Sequence, residues 1–141
     1  VSNNPNEMIP AGFEPYDLSS MPYLSGFGDV YVHTGVDHLL LGLRVQPNHS
    51  NSLGVAHGGM LATIVDVACG RALRQQSETN RPVVTISLDL KYLSSAQLGD
   101  WLEVHTSVRK GTGNIVFCNC EVRVGERVVI TSANVFKFIR A

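Results

Sequence analysis

No strong charge of either sign marks this chain. Its 141 residues carry 11 basic and 12 acidic side chains, a formal net charge of −1. Proteins of nucleic acid or membrane surfaces normally show a basic excess or a basic stripe, so neither partner is expected. No apolar run reaches the ~18 residues of a membrane-spanning helix. The polar, Asn-rich start from Val1 to Met8 lacks the basic stretch and apolar block of a secretory signal. Cysteine is scarce, with Cys69, Cys118 and Cys120 alone. The count is odd and no Cys-x-x-Cys spacing exists, which argues against a zinc or redox site. Cys118 and Cys120 would share one face of a strand without an easy bridge. Free buried thiols fit a reducing compartment, so a cytoplasmic location is expected. His33, His38, His49, His57 and His105 show no ligand spacing with carboxylates or thiols, so no metal is expected.

What is present suffices for one packed domain: 44% of the residues are hydrophobic. Four prolines in the first 22 residues suggest an irregular N-terminal arm, with at most one helical turn near Asp17–Met21. Residues 23–141 show no linker and no internal repeat, and read as one domain. Phe27–Thr34 and His38–Val45 read as strands around a short Gly35-Val36-Asp37 loop. Pro47 to Ser52 is turn chemistry. From Gly58 to about Gln75 the period changes to that of a helix. Leu61, Ile64, Val65, Ala68 and Ala72 share one side, and Ala62, Asp66, Cys69 and Leu73 the other. A helix apolar on both sides is covered on most of its surface. Glu78 to Pro82 ends it.

After Pro82 the pattern is β throughout, with strands at Val83–Leu93, Trp101–Arg109, Ile115–Val124 and Arg127–Ile139. In the first of these, alternation sets Thr85, Ser87, Asp89 and Lys91 against Val84, Ile86, Leu88, Leu90 and Tyr92. The order β-β-α-β-β-β-β predicts an α+β fold. One long central helix is wrapped by a twisted antiparallel sheet of about six strands.

Two features could carry chemistry. Asp66 is the only charged residue between Arg44 and Arg71. It lies either on a narrow exposed strip or in a cleft as a base or nucleophile. His57-Gly58-Gly59 opens the helix, where early N–H groups lack intrahelical partners. The glycines either make a tight turn or let a carbonyl rest on a backbone N–H that stabilises developing negative charge. Gly58 and Asp66 are eight residues apart, about 12 Å along a helix at ~1.5 Å per residue. Reacting atoms must lie about 3 Å apart. If both serve one reaction, Asp66 must come from a second copy of the chain, with two shared sites per symmetric homodimer.

The stretch Asn48 to Asp66, with its Asn-x5-His-Gly-Gly-x6-Asp spacing, resembles the signature of hotdog-fold acyl-CoA thioesterases. The branch it is most similar to contains the phenylacetate-pathway thioesterase and the mammalian thioesterase-superfamily member 2. The likeness extends to Val83–Ala96 and to the Arg109-Lys110-Gly111 turn, and leaves out only the first 22 or so residues. It implies hydrolysis of an acyl- or aryl-CoA thioester by a homodimer, itself paired as a dimer of dimers. No cofactor is implied, because coenzyme A is part of the substrate. Carried over residue by residue, the Gly58 N–H polarises the thioester carbonyl, with Gly59 beside it. His57 shapes the turn, Asn51 holds water or the leaving group's surroundings, and Asp66 of the partner is base or nucleophile. Thr85 positions the attacking water, with Ser87 as fallback if the strand is one residue longer. Arg109 and Lys110 at the Gly111 turn either meet the phosphates of coenzyme A or form a solvated hairpin tip. A thiol leaves readily, with a pKa of about 8.5, so no general acid is required. The rival reading is a non-catalytic hotdog module that binds acyl thioesters as a sensor or scaffold and does not need Asp66.

Overall fold

The computed structural model of the chain describes residues 9–77 and 80–139. Val1–Met8 and the Glu78-Thr79 pair, read above as polar start and helix end, lie outside them. The strands are β1 (Phe13–Pro15), β2 (Tyr31–His33), β3 (Leu40–Arg44), β4 (Val83–Tyr92), β5 (Trp101–Lys110), β6 (Ile115–Val124) and β7 (Arg127–Phe138). They form one antiparallel sheet in the order β1-β2-β3-β5-β6-β7-β4. The single long helix, α1 (Gly58–Gln76), packs on β4, β5 and β6.

The period-2 patterns decide which face of the sheet meets α1. Leu102, Val104 and Thr106 of β5 are buried, as are Val116, Cys118, Cys120 and Val122 of β6. On β7 the buried set includes Ile130, Ser132, Asn134 and Phe136. Against them α1 buries Leu61, Ile64, Val65, Ala68, Cys69, Ala72 and Leu73. Each fully buried Leu, Ile or Val contributes about 1.5–3 kcal/mol, which outweighs the mediocre helix propensity of a run that holds Gly58, Gly59, Gly70 and the β-branched Thr63, Ile64, Val65 and Val67. Ala62, Thr63, Asp66, Val67 and Gly70 stay half-exposed. The helix is therefore covered by its own chain on one side and part of another, less completely than the sequence suggests.

Three elements differ from expectation. The proline-rich arm supplies a strand: β1 pairs with β2, and the Phe13 ring packs edge-on to Trp101 at 5.1 Å. An edge strand tolerates the Pro15 that ends it, and the sheet has seven strands instead of about six. The helical turn falls at Pro22–Leu24, where proline suits the first position, and not at Asp17–Met21. The first two strands of the main domain are shorter than read, because Gly28 turns the chain at φ +97° and Leu39 precedes the paired segment.

The fourth difference concerns the site. In β4, Thr85 pairs with Phe136 but Ser87 pairs with the adjacent Val135, so Ile86 is an extra, bulged residue. The bulge interrupts the strict alternation read from the sequence. Thr85 stands on the inner face with Leu88, Leu90 and Tyr92, opposite the buried Phe136, Asn134, Ser132 and Ile130. Val84 and Ile86 turn outward, 44% and 53% exposed.

Candidate active site

The turn into α1 is built by local hydrogen bonds. The Asn51 side-chain Oδ1 accepts from the N–H groups of Leu53 (2.9 Å) and Val55 (3.3 Å). The Ala56 N–H donates to Ala96 O, and the His57 N–H to His49 O, both at 2.8 Å. His49 is the buried support. Its Nδ1 accepts from the Gln46 N–H at 2.9 Å and its Nε2 donates to the Phe27 carbonyl, which fixes a neutral ring protonated at Nε2. His57 then caps the helix through Nδ1, accepting from the Gly59 N–H at 2.8 Å.

That cap separates the two glycines. The Gly59 N–H is occupied by His57, whereas the Gly58 N–H has no partner among the described residues. The Gly58 carbonyl accepts from the Tyr92 hydroxyl at 2.7 Å, which orients its peptide unit. A Cβ built on Gly58 would meet only the Tyr92 ring, at an ordinary 3.6 Å. A free N–H at the positive end of a 19-residue helix is a ready donor for an oxygen that gains negative charge.

Asp66 lies two helical turns further on, half-buried. Thr85 Oγ1 donates to Asp66 Oδ1 at 2.6 Å. The extra strand residue is absorbed at Ile86, so Thr85 and not Ser87 reaches the carboxylate. Asp66 and Thr85 open onto a cleft of about 400 Å³ walled by Tyr16, Met21, Val67, Val83 and Phe136, with Arg71 and Arg74 beyond. The structure thus brings Asn51, His57, Gly58 and Gly59 together at one end of α1, and Asp66 with Thr85 at another position along it. Eight residues of helix, about 12 Å at ~1.5 Å per residue, separate Gly58 from Asp66 in one chain, so one small reacting group does not touch both.

Arg109, Lys110 and Gly111 lie at the β5–β6 hairpin. Gly111 is required there, since a Cβ would sit 2.6 Å from the Ile115 carbonyl oxygen. The Arg109 guanidinium rests 5.6 Å over the Phe117 ring. These contacts account for Gly111 and for the pose of Arg109 without any ligand.

Spacing along the sequence missed a cluster. Cys69 of α1 meets Cys118 and Cys120 of β6, with the three Sγ atoms within 4.8 Å of one another and Cys69 Sγ 3.3 Å from Cys120 Sγ. Neither sequence separation nor strand parity places a helix cysteine there. Asn134 Nδ2 donates to Cys69 Sγ, Cys118 O and Ser132 Oγ. Hydrogen bonding with the neighbouring thiols of Cys118 and Cys120, together with burial, pushes the Cys69 thiol well up. The same set of hydrogen bonds pushes the Cys120 thiol up and holds the Cys118 thiol down. Tyr92 and His49 were also missed as supports; Tyr92 reads only as one more alternating apolar residue until its hydroxyl is placed.

Comparison with known proteins agrees with this architecture. The sequence profile of the thioesterase superfamily matches residues 53–131, the span from the turn before α1 into β7. A Pseudomonas aeruginosa protein with a provisional esterase name is 38% identical over 129 residues, covering 91% of this chain and 96% of its own. Mouse acyl-coenzyme A thioesterase 13 is 28% identical over 91 residues, 64% of each chain. Among solved structures, a hypothetical thioesterase of Streptococcus pneumoniae crystallised with coenzyme A superposes with a TM-score of 0.73 at 21% identity. That match covers 79% of this chain and 90% of the other. The chain belongs to the thioesterase superfamily, and it is a hotdog-fold thioester hydrolase.

Proposed function

We propose that the protein hydrolyses acyl- or aryl-CoA thioesters to a carboxylic acid and free coenzyme A, at sites shared across a homodimer. The observation that carries the chemistry is the 2.6 Å hydrogen bond from Thr85 Oγ1 to Asp66 Oδ1. The threonine O–H is committed to the carboxylate, so its oxygen accepts a hydrogen bond from a water. That water gives its proton to the remaining Asp66 oxygen as it attacks the thioester carbon. Asp66 acting directly as nucleophile is the variant of the same chemistry. The carbonyl oxygen rests on the Gly58 N–H of the partner chain, and the charge that develops there faces the helix N-terminus. The C–S bond then breaks and coenzyme A leaves as a thiolate, which takes up a proton from solvent. Asn51, with its Oδ1 engaged in the turn, turns its Nδ2 donor to the leaving group's surroundings.

The dimer reading rests on the distance between the two halves and on β4. This strand is one of the sheet's two edges, the other being β1, and carries the exposed Val84 and Ile86 next to the half-exposed strip of α1. Uncovered edges with apolar side chains invite pairing with another copy. Pairing of dimers into tetramers follows from the family resemblance alone. The free thiols fit a reducing cytoplasm, and no helix among the described residues is long and apolar enough to cross a membrane. Arg109 and Lys110 are the candidate phosphate contacts for coenzyme A.

The deciding experiment is free-thiol release from a panel of aryl, short, medium and long acyl-CoAs, comparing wild type with Asp66→Asn. Turnover by wild type and a fall of about 10²–10⁴ in kcat for the variant is expected for a lost general base. No turnover with any member would remove the hydrolase reading in favour of thioester binding alone.

A further inference from the structure

The cleft beside Asp66 has two chemically different ends. Asp66, Gly70 and Arg74 recur at four-residue spacing and so lie along one face of α1. Gly70, between them, contributes no side chain, and even a Cβ there would only touch Val83 at 4.0 Å. The floor from Asp66 to the arginines is therefore open, and Met21, Val67, Val83 and Phe136 make its walls apolar. At the far end the Arg71 guanidinium lies 5.8 Å over the Tyr16 ring, and Arg74 faces the same space. Among the described residues neither arginine has a carboxylate within ion-pair distance, and the Tyr16 hydroxyl has no hydrogen-bond partner. Burial raises the Tyr16 hydroxyl pKa while Arg71 and Arg74 draw it down, as expected if both guanidiniums face the phenol.

We propose that this cleft selects thioesters whose acyl chain ends in a carboxylate, which docks on Arg71, Arg74 and the Tyr16 hydroxyl. The inference rests on the hydrolase reading above, with the thioester carbon beside Asp66, and adds the class of acyl group. The arginines stand about 7.5 and 12 Å beyond Asp66 along the helix axis. Their side chains lean back toward the helix N-terminus, and so toward Asp66. An extended chain covers ~3.5 Å per three bonds, so an acyl chain of about six to eight carbons reaches roughly 6–8 Å, toward guanidiniums that lean back to meet it. The negative Asp66 repels a carboxylate placed near it, whereas the two guanidiniums offer fork-shaped donors that match one. The other anion at hand, a phosphate of coenzyme A, is separated from the sulfur by the whole pantetheine arm, which is longer than this cleft.

The test compares kcat/KM of the full chain for adipyl-CoA against hexanoyl-CoA, and for suberyl-CoA against octanoyl-CoA. The diacid is expected to lead by about tenfold at either length. An Arg71→Gln/Arg74→Gln variant, checked for an unchanged thermal midpoint, should bring each ratio to about one or below. The Arg71→Lys/Arg74→Lys variant keeps the charges and should retain part of the preference. The same pairs presented as N-acetylcysteamine thioesters, which carry no phosphate, should keep the preference. Equal or better hydrolysis of the neutral chains overturns the inference while acyl-CoA hydrolysis stands. It is likewise overturned if the Gln variant slows all CoA esters equally and the effect vanishes with the cysteamine esters, for then the arginines hold phosphate. Failure to release thiol from these esters and from the aryl and long-chain panel removes the hydrolase reading and the inference together.

Discussion

Proline at position 58 would remove one hydrogen and little else. Gly58 is the first helical residue, where a proline ring suits the backbone and its missing N–H breaks no intrahelical bond. His57 already has φ −65° and ψ 134°, the extended conformation that a residue before proline adopts. The added carbon next to Tyr92 meets an ordinary contact. Gly58→Pro is therefore expected to melt close to wild type while kcat falls about 10²–10³, as for loss of one oxyanion donor. A kcat within about threefold of wild type would show that another group polarises the carbonyl. At this scale the sequence was informative where chemistry is local. His57 caps one helix, and Gly58 and Asp66 lie on it; its start and period can be read directly. It was uninformative where a partner comes from afar. No local pattern tells that His49 holds the turn from beneath or that the Tyr92 hydroxyl orients the Gly58 peptide.

Strand β4 shows why an element can be placed correctly and still be misread. Its existence and ends are legible in eleven alternating residues, Val83 to Leu93. Its faces are not, because a bulge leaves no mark in a sequence that alternates through it. The partner strand decides where the extra residue goes: β7 offers Phe136 and then Val135, and Ile86 has no partner. The bulge therefore sets which hydroxyl meets Asp66. Thr85→Val keeps the shape and removes the hydrogen bond to the carboxylate; a bond to a charged group is worth about 1.5–3 kcal/mol. Activity of Thr85→Val should thus fall at least about tenfold, while Ser87→Ala, on the outer face, should stay within about twofold. The reverse ranking, read from kcat/KM on any acyl-CoA that the wild type hydrolyses, would place the bulge elsewhere in the working enzyme. The N-terminal arm makes the opposite point. Prolines argue against a strand only where both edges are paired, and β1 has one free edge.

At the scale of the whole molecule the described residues pack as one fold, and the proposed site draws on two copies of it. Its core closes α1 against the sheet, including the three thiols that no sequence spacing brought together. Its two functional groups nevertheless sit eight residues apart on one rigid helix, and no rotation of side chains joins them. Two chains related by a two-fold axis solve this if the helix start of one faces the middle of the other's helix, and the solution has a countable consequence. An Asn51→Ala/Gly58→Pro chain retains Asp66 and Thr85, and an Asp66→Asn chain retains the glycine turn. Each homodimer is inactive. A mixed dimer holds one site with both defects and one with none. If subunits exchange at random in an equal mixture, half of the dimers are mixed and each has one of two sites working. Activity should therefore recover to about one quarter of wild type. Separate affinity tags on the two chains allow the mixed dimer to be isolated, and its activity should then be about half that of wild type. If the isolated mixed dimer remains as inactive as its parents, the carbonyl donor and the carboxylate belong to one chain. The Gly58 N–H would then have to be replaced by a donor much nearer Asp66 on the same chain.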